Sequence, residues 1–251
     1  MSGGKIKVNI SIITTTKSAT KNIVKLSDSL YPFYDKIHEF IIVDAGTPNI
    51  YDITKDSFAF PTIIDGKGSN RSGGKNIGIK KASGDVIVFL DDDIEITEYW
   101  LPELIKSLQQ SDIVAGWSPN PESASLPRVS VDIEGQDITL PSCNIAYKKH
   151  VLDKVGLFDE TMVTAEDVDF NYRCIQNGFT IDYNPKMKVF HYHRNTFNGF
   201  AKQAFWNGYG RKQLNRKHTE LKTSHQHGIK IKSILRLGFG FLGYVFGDII
   251  K

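Results

Sequence analysis

Apolar and polar positions divide the chain into short strand-like runs separated by helical segments. Residues 86–90, VIVFL, are apolar throughout and open with three β-branched side chains, the pattern of a strand buried on both faces. The run continues through Asp91, Asp92 and Asp93 into IEI at 94–96. Upstream, KVNISIIT at 7–14 alternates and then runs apolar, predicting a first strand that ends in a Thr-, Lys- and Ser-rich turn. The helix expected over 20–30 sets Ile23, Leu26 and Leu30 on one face, with Pro32 near its stop. FIIV at 40–43 predicts a second strand, 62–64 a third, and 75–82 a helix closed by Ser83, Gly84 and Asp85. Further on, the pattern predicts helices over 100–109, 149–155 and 167–177, the second closed by Gly156. It predicts strands over 112–117, 142–147, 180–183 and 188–191. Strands alternating with helices point to an α/β domain built on a parallel sheet.

Two stretches lack this alternation. DGKGSNRSGG at 65–74 reads as a glycine-rich loop whose free backbone N–H groups, with Arg71 and Lys75, face an anion at the next helix start. Neither the GxGxxG nor the GxxxxGK[ST] spacing is present. Residues 118–141 form a long polar stretch with Pro119, Pro121, Pro127 and Pro141, where substrate contacts are placed by position alone. Beyond it, 195–214 predicts a helix bearing Phe200, Phe205, Trp206 and Tyr209. LGFGFLGYVF at 237–246 is apolar but about half the length a bilayer span needs. Arg211, Lys212, Arg216, Lys217, Lys222, Lys230 and Lys232 precede it, which suits docking at a membrane surface or the stump of a longer membrane region. The alternative is a helix packed on the domain's own core.

Composition narrows the frame. At 251 residues and 40% hydrophobic content the chain can bury one large core, with room for a small appendage. A net charge of +3 argues against a dedicated nucleic-acid-binding surface. Cys143 and Cys174 are the only cysteines, which excludes a disulfide-stapled framework and favours a reducing compartment. Cys143 reads as a packed small residue rather than a nucleophile, because no histidine with an obvious pairing stands near it in sequence. The opening MSGGKIK has no apolar run, so no secretory signal is expected and 1–6 reads as a flexible leader. The expected location is the cytoplasm or the cytoplasmic face of the membrane.

Candidate chemistry gathers at strand ends. Three adjacent carboxylates after a buried strand repel one another and resist desolvation, so a cation is expected among them. Short oxygen ligands suit Mg2+ or Mn2+, which in turn bind phosphate oxygens. A plain surface turn at Asp92 and Asp93 is the simpler alternative. Asp44 ends the second strand in the same way, and in an open parallel sheet that edge is where ligands bind. Its alternative is an Asx turn before Gly46. In AEDVDFNYRCIQNGF, Glu166, Asp167 and Asp169 head a helix, where acid is favourable by itself and where one carboxylate could act as a general base. His191 and His193, two apart in an extended segment, could both reach a metal.

Together these segments resemble the family 2 glycosyltransferases of the GT-A fold, in order, from about Val8 to His193. VNISIITTTKSA is similar to the family's opening strand and polar turn, and VDAGT to its VDDGS. GGKNIGIKKASGDVIVFLDDD resembles its GxxxARNxGIxxAxGDxIxFLDxDD run, with Asn76, Gly78, Ala82, Gly84, Asp85 and Asp91 to Asp93 in register. CNIAYKKHVLDKVGLFDE, AEDVDFNYRCIQNGF and HYHR resemble the acceptor-side segment, the EDxDLxxRxxxxGY signature and the His-bearing strand after it.

The resemblance implies a Rossmann-like GT-A single domain over 7–194, with a mostly parallel central sheet flanked by helices. A nucleotide-sugar half would span about 7–117 and an acceptor half about 118–194, followed by a C-terminal helical, basic and apolar tail over 195–251. It implies an inverting transfer from a nucleoside-diphosphate sugar, UDP- or GDP-linked, to an acceptor hydroxyl on a glycan or lipid-linked acceptor, with Mn2+ or Mg2+ as cofactor. By position, Thr14, Asp44, Arg71, Lys75, Asn76, Asp91 and Asp92 would hold the nucleotide sugar. Asp91, Asp93 and His191 would hold the metal, and Asp167 would be the catalytic base. Asn144, Glu166, Asp169, His193 and Arg194 would support the acceptor side.

Departures from the pattern stand at Ala45, where relatives carry a second Asp, and at Gly74-Lys75-Asn76, where they carry ARN. A metal-dependent nucleotidyltransferase or phosphohydrolase, and a non-catalytic nucleotide-sugar-binding member of the family, are the competing functions. The first leaves the acid-headed helix at Glu166 without a task.

Overall fold

Ten strands succeed one another in the computed structural model, which describes residues 8–17, 21–46, 61–121, 130–192, 196–221 and 231–250. They are β1 (Ile10–Thr16), β2 (Glu39–Asp44), β3 (Pro61–Asp65), β4 (Val86–Leu90), β5 (Ile94–Ile96), β6 (Ile113–Trp117), β7 (Asp132–Ile133), β8 (Gln136–Asp137), β9 (Asn144–Lys148) and β10 (Ile181–His191). Eight of them form one sheet in the order β3-β2-β1-β4-β9-β6-β10-β5, and β7 and β8 make a separate hairpin. β3, β2, β1, β4, β6 and β10 share a direction, while β9 and β5 run against their neighbours. The helices are α1 (Lys21–Leu30), α2 (Arg71–Lys81), α3 (Trp100–Ser107), α4 (Lys149–Val155), α5 (Glu166–Gln176), α6 (Phe197–Lys217) and α7 (Ile231–Ile250).

Alternation along the strands divides the core into two layers. Ile10 and Ile12 of β1 pack on one face with Leu26, Phe40, Val88, Trp100 and Leu104. Ile13 faces the other way, among Ile41, Phe89, Tyr147, Phe158 and Phe170. In that second layer Phe158 stacks on Phe170 at 4.5 Å between centroids and meets Phe89 edge-on at 5.4 Å.

Several elements differ from the pattern-based expectation, among them the β7–β8 hairpin within the long polar stretch and α7, which extends the apolar run 237–246 to 231–250. The helix expected over 75–82 begins at Arg71, because Asn70 caps it by accepting from the Gly73 N–H at 2.8 Å. The two glycines are therefore first-turn residues, and a Cβ on Gly74 would stand 3.0 Å from the Thr15 side chain, so α2 lies close on β1. The run 86–96 breaks after Leu90, and its second half leaves β4 to pair with β10. The strands expected over 180–183 and 188–191 are one, β10, whose register shift between Asn184 and Lys188 accommodates Pro185.

The C-terminal helices are not a loose appendage. Gln213 of α6 accepts from the Val163 N–H and donates to the Thr161 carbonyl, each at 3.0 Å. Just beyond α6, His218 lies 2.8 Å from Asp169 of α5. α7 packs on α6 with backbone against backbone, since a Cβ on Gly208 or Gly243 would fall 1.8 Å from the carbonyl oxygens of Gly240 and Phe205. Lys212 and Arg216 pair with Asp248 across the two helices, at 2.8 and 3.0 Å. The outward side of α7 is apolar and exposed: Phe241 is 66%, Ile249 80% and Ile250 62% accessible. Among the described residues no helix is long and apolar enough to cross a membrane.

Candidate active site

Parallel pairing in β1, β2 and β3 aligns Thr16 with Asp44 and Asp44 with Asp65, so all three stand at the C-terminal edge of the sheet. β4 ends beside them and delivers Asp91, Asp92 and Asp93. Thr16 Oγ1 donates to Asp92 Oδ2 at 2.5 Å. Burial, then the neighbouring Asp93 and Asp91, push the Asp92 carboxyl up to about 6 against that hydrogen bond. Thr14, two residues earlier, is fully buried, and its hydroxyl has no hydrogen-bond partner among the described residues. Thr16 is thus the residue of this strand that meets the acid group, and only the strand's length distinguishes it from Thr14.

The opposite wall comes from β10. Pairing of His191 with Ile94 sets the imidazole against the acid turn, with Nε2 2.8 Å from Asp93 Oδ1 and 3.7 Å from Asp91 Oδ2. Burial opposes charge on His191, but hydrogen bonds to Asp93 and Cys143 together with the charge of Asp91 push it up to about 11. Cys143, directly before β9, completes the group. One ligand atom from each of Asp91, Cys143 and His191 lies within 4.8 Å of the others. This group fits a divalent cation, and Asp93 stands beside it against the same imidazole nitrogen. Asp91 and Asp93 keep 46% and 26% of their side chains accessible, against 9% for His191, so the oxygens line the open side.

The carboxylates at the head of α5 diverge. Ala165, which precedes them, is held at φ 62°, in the left-handed region that residues with a Cβ rarely adopt. Glu166 is buried and takes the Lys75 ammonium at 2.7 Å, and the same ammonium donates to Ser142 Oγ at 2.6 Å. Burial opposes both charges, but their attraction wins, holding Lys75 above and Glu166 below its ordinary value. Asp167 is half-buried and accepts backbone N–H groups of Ser142 at 3.1 Å and Val168 at 2.9 Å. Burial and the adjacent Glu166 raise its carboxyl above the usual range. Asp169 is fully buried and turns to Arg173, Lys217 and His218.

Arg71 joins the two acid groups. It opens α2 with its head accessible, and Asp91, Glu166, Asp167 and Asp92 together outweigh burial and strengthen its positive charge. It makes no direct hydrogen bond among the described residues. Carboxylates some 75 positions apart in sequence thus both favour the charge of one guanidinium.

Asn76, Asn144 and Asp44 have hydrogen-bond partners of their own. Asn76 is buried and binds the Phe158 backbone at both ends of its amide, at 2.9 and 3.0 Å, and Glu160 at 2.8 Å. Asn144 accepts from the Trp100 indole N–H and donates to the Met187 carbonyl, each at 2.9 Å. Both amides are committed to the scaffold. Asp44 stays at the sheet edge, buried, with the Gly46 N–H 3.3 Å from its Oδ1. His193 and Arg194 lie outside the described residues, as does Pro127 of the long polar stretch. Ser142 and Cys143 enter the site through cross-strand pairing of Leu90 with Asn144, a signal absent from local sequence.

A mostly parallel sheet with helices on both faces and an acid turn at the C-terminal end of β4 is the GT-A architecture. The chain matches the Glycosyl transferase family 2 model over residues 11–158 and belongs to that family. It is 27% identical over 153 residues to the pre-mycofactocin glycosyltransferase of Mycobacterium tuberculosis, across 53% of this chain and 33% of that one. The chain thus spans about a third of that relative's length. It is 23% identical over 185 residues to the uncharacterized glycosyltransferase YwdF of Bacillus subtilis, covering 68% of this chain and 69% of YwdF. Among solved structures, the mannosyltransferase PcManGT of Pyrobaculum calidifontis, in complex with GDP-Man and Mn2+, superposes with a TM-score of 0.67 at 13% identity, over 98% of this chain and 77% of that one. S. aureus TarS 1-349 superposes at 0.61 with 16% identity, over 94% and 80%.

Proposed function

We propose that this protein transfers a sugar from a nucleoside-diphosphate sugar to an acceptor hydroxyl, with inversion at the anomeric carbon. The observation that carries the reading is the acid turn after β4 gathered with Cys143 and His191, beside the Asp167 carboxylate that the Ser142 N–H holds. Arg71, whose positive charge the carboxylates of both groups favour, would neutralise a diphosphate as it leaves, while a carboxylate at the head of α5 takes the proton. Asp167 is the base: its ionised form accepts the acceptor's hydroxyl proton as that oxygen attacks, and burial beside Glu166 makes it more basic than an ordinary aspartate. Glu166 and Lys75 keep the head of α5 in place. Asp91, Asp93 and His191 would hold a divalent ion, which supplies positive charge against the diphosphate. Asp44 and Thr16, paired at the adjoining strand ends, would hold the nucleoside.

GDP-Man and Mn2+ in the Pyrobaculum enzyme support a GDP- or UDP-linked donor and Mn2+. The exposed apolar side of α7, beside the basic side chains of α6, supports contact with a membrane surface and a lipid-linked glycan acceptor.

The test is release of nucleoside diphosphate from a panel of UDP- and GDP-sugars with Mn2+ or Mg2+. Asp167→Asn should lower turnover by about 10²–10⁴-fold, the usual worth of a general base, while leaving donor-induced thermal stabilisation intact. Near-normal turnover in that variant removes the base assignment. Release of pyrophosphate or nucleoside monophosphate instead points to phosphoryl chemistry.

A further inference from the structure

Cys143 has a place in the site that packing alone does not explain. It is 4% exposed, beside a histidine that is 7% exposed, with its sulfur and an imidazole nitrogen within 4.8 Å of each other. Its backbone is pinned from both sides. Asn144 pairs with Leu90, which puts Cys143 across from Asp91, and the Asn144 amide is tied to Trp100 and Met187. The thiol, the imidazole and the Asp91 carboxylate therefore converge within 4.8 Å. A single ion with bonds of about 2.0–2.3 Å closes that spacing with a small side-chain adjustment.

The donor types matter as much as the spacing. Carboxylates alone suit Mg2+, which demands hard oxygen ligands, whereas a thiolate beside an imidazole favours softer ions. The soft donors lie on the buried side and the oxygens on the open side, where a diphosphate would approach.

We propose that Cys143 is a direct ligand of the divalent ion, alongside Asp91 and His191, and that the site consequently holds Mn2+, Co2+ and Zn2+ in preference to Mg2+. This rests on the reading that Asp91 and His191 bind an ion at all. On ligation the thiol gives its proton to solvent and binds as thiolate.

Anaerobic titration of the metal-stripped protein with Co2+ tests it without reference to turnover. The expected spectrum has visible d–d bands together with a near-ultraviolet sulfur-to-Co(II) charge-transfer band. Cys143→Ser should keep the visible bands, lose the near-ultraviolet band and bind Zn2+ at least about tenfold more weakly, the scale of a lost ligand-shell contact. Its Mg2+ affinity should stay unchanged. Visible bands in the wild type without the charge-transfer band overturn the thiolate ligand and leave the ion site standing. No Co2+ spectrum of any kind overturns the ion site itself. If Cys143→Ser fails to fold, Cys174→Ala decides the origin of the band, since Cys174 is the other cysteine and is fully buried in α5. Persistence of the band in Cys174→Ala supports Cys143, and its loss there overturns the assignment.

Discussion

Lys75 Nζ lies 2.7 Å from Glu166 Oε1, with about 5% of either side chain accessible, and this pair welds the start of α2 to the start of α5. The position where family relatives carry an arginine is here occupied by a lysine whose charge is already answered. Arg71, one helical turn earlier, is left as the accessible cation of this helix end.

Breaking that pair should be expensive. Lys75→Met leaves Glu166 buried without a counter-charge and should cost about 3–5 kcal/mol in chemical denaturation. Lys75→Met combined with Glu166→Leu should recover most of the loss, because no lone charge then remains buried. A Lys75→Met variant with normal stability but a much raised donor KM would instead assign Lys75 to the diphosphate. The sign with pH follows from the two shifts. The depressed Glu166 contributes stability above its ordinary range and loses it as pH falls through the folded value. The raised Lys75 contributes below its ordinary range and loses it as pH rises through the folded value. The pair therefore stabilises the protein between the ordinary carboxylate and lysine ranges.

The pH profile of transfer reports on Asp167. Burial and Glu166 raise its carboxyl, and a base must be ionised to act, so kcat/KM should fall on the acid side at a higher pH than an ordinary aspartate would give. Glu166→Gln removes a like charge and frees the Lys75 ammonium to act on Asp167, so the acid limb should move to lower pH. An unmoved limb separates Asp167 from the titration that controls the rate.

Asn144 is predicted to act through the scaffold. Asn144→Ala leaves the Trp100 indole N–H and the Met187 carbonyl unpaired in the interior, at a cost of about 1–3 kcal/mol for each such group. Stability should fall while acceptor KM stays the same. A rise in acceptor KM without loss of stability would return Asn144 to the acceptor side.

The outer side of α7 is open to a direct assay. Phe241→Glu and Ile249→Glu place charge on the exposed side of the helix, at side chains 66% and 80% accessible. They should abolish sedimentation with anionic vesicles while leaving the circular dichroism spectrum unchanged. Undiminished vesicle binding by both variants removes this helix as the contact.

Much of the fold was legible because hydrophobic periodicity is a local property. The all-apolar run over 86–90 could satisfy its side chains only inside a sheet, and 149–155 could stop only at Gly156, whose φ of 91° suits a helix end. The ordered motifs likewise exposed the family. Their mutual contacts were less visible: Asn76 of one motif holds the Phe158 backbone and Glu160 of another, 82 and 84 positions away. Boundaries failed where a cap or a bulge took over from periodicity, at Asn70 and around Pro185.

The sequence by itself determined that acid stands at the end of β4 and at the head of α5, and that a histidine follows in β10. Which acid meets which partner was decided by tertiary structure. Glu166, Asp167 and Asp169 occupy neighbouring positions of one helix, but each residue advances the azimuth by about 100°, so the three leave in different directions. One goes to Lys75, one to the Ser142 backbone and one to the C-terminal end of α6. Strand register did the same for His191, Asp93 and Cys143. Helical and strand periods specify the direction in which a side chain leaves the backbone, and only packing specifies what waits there.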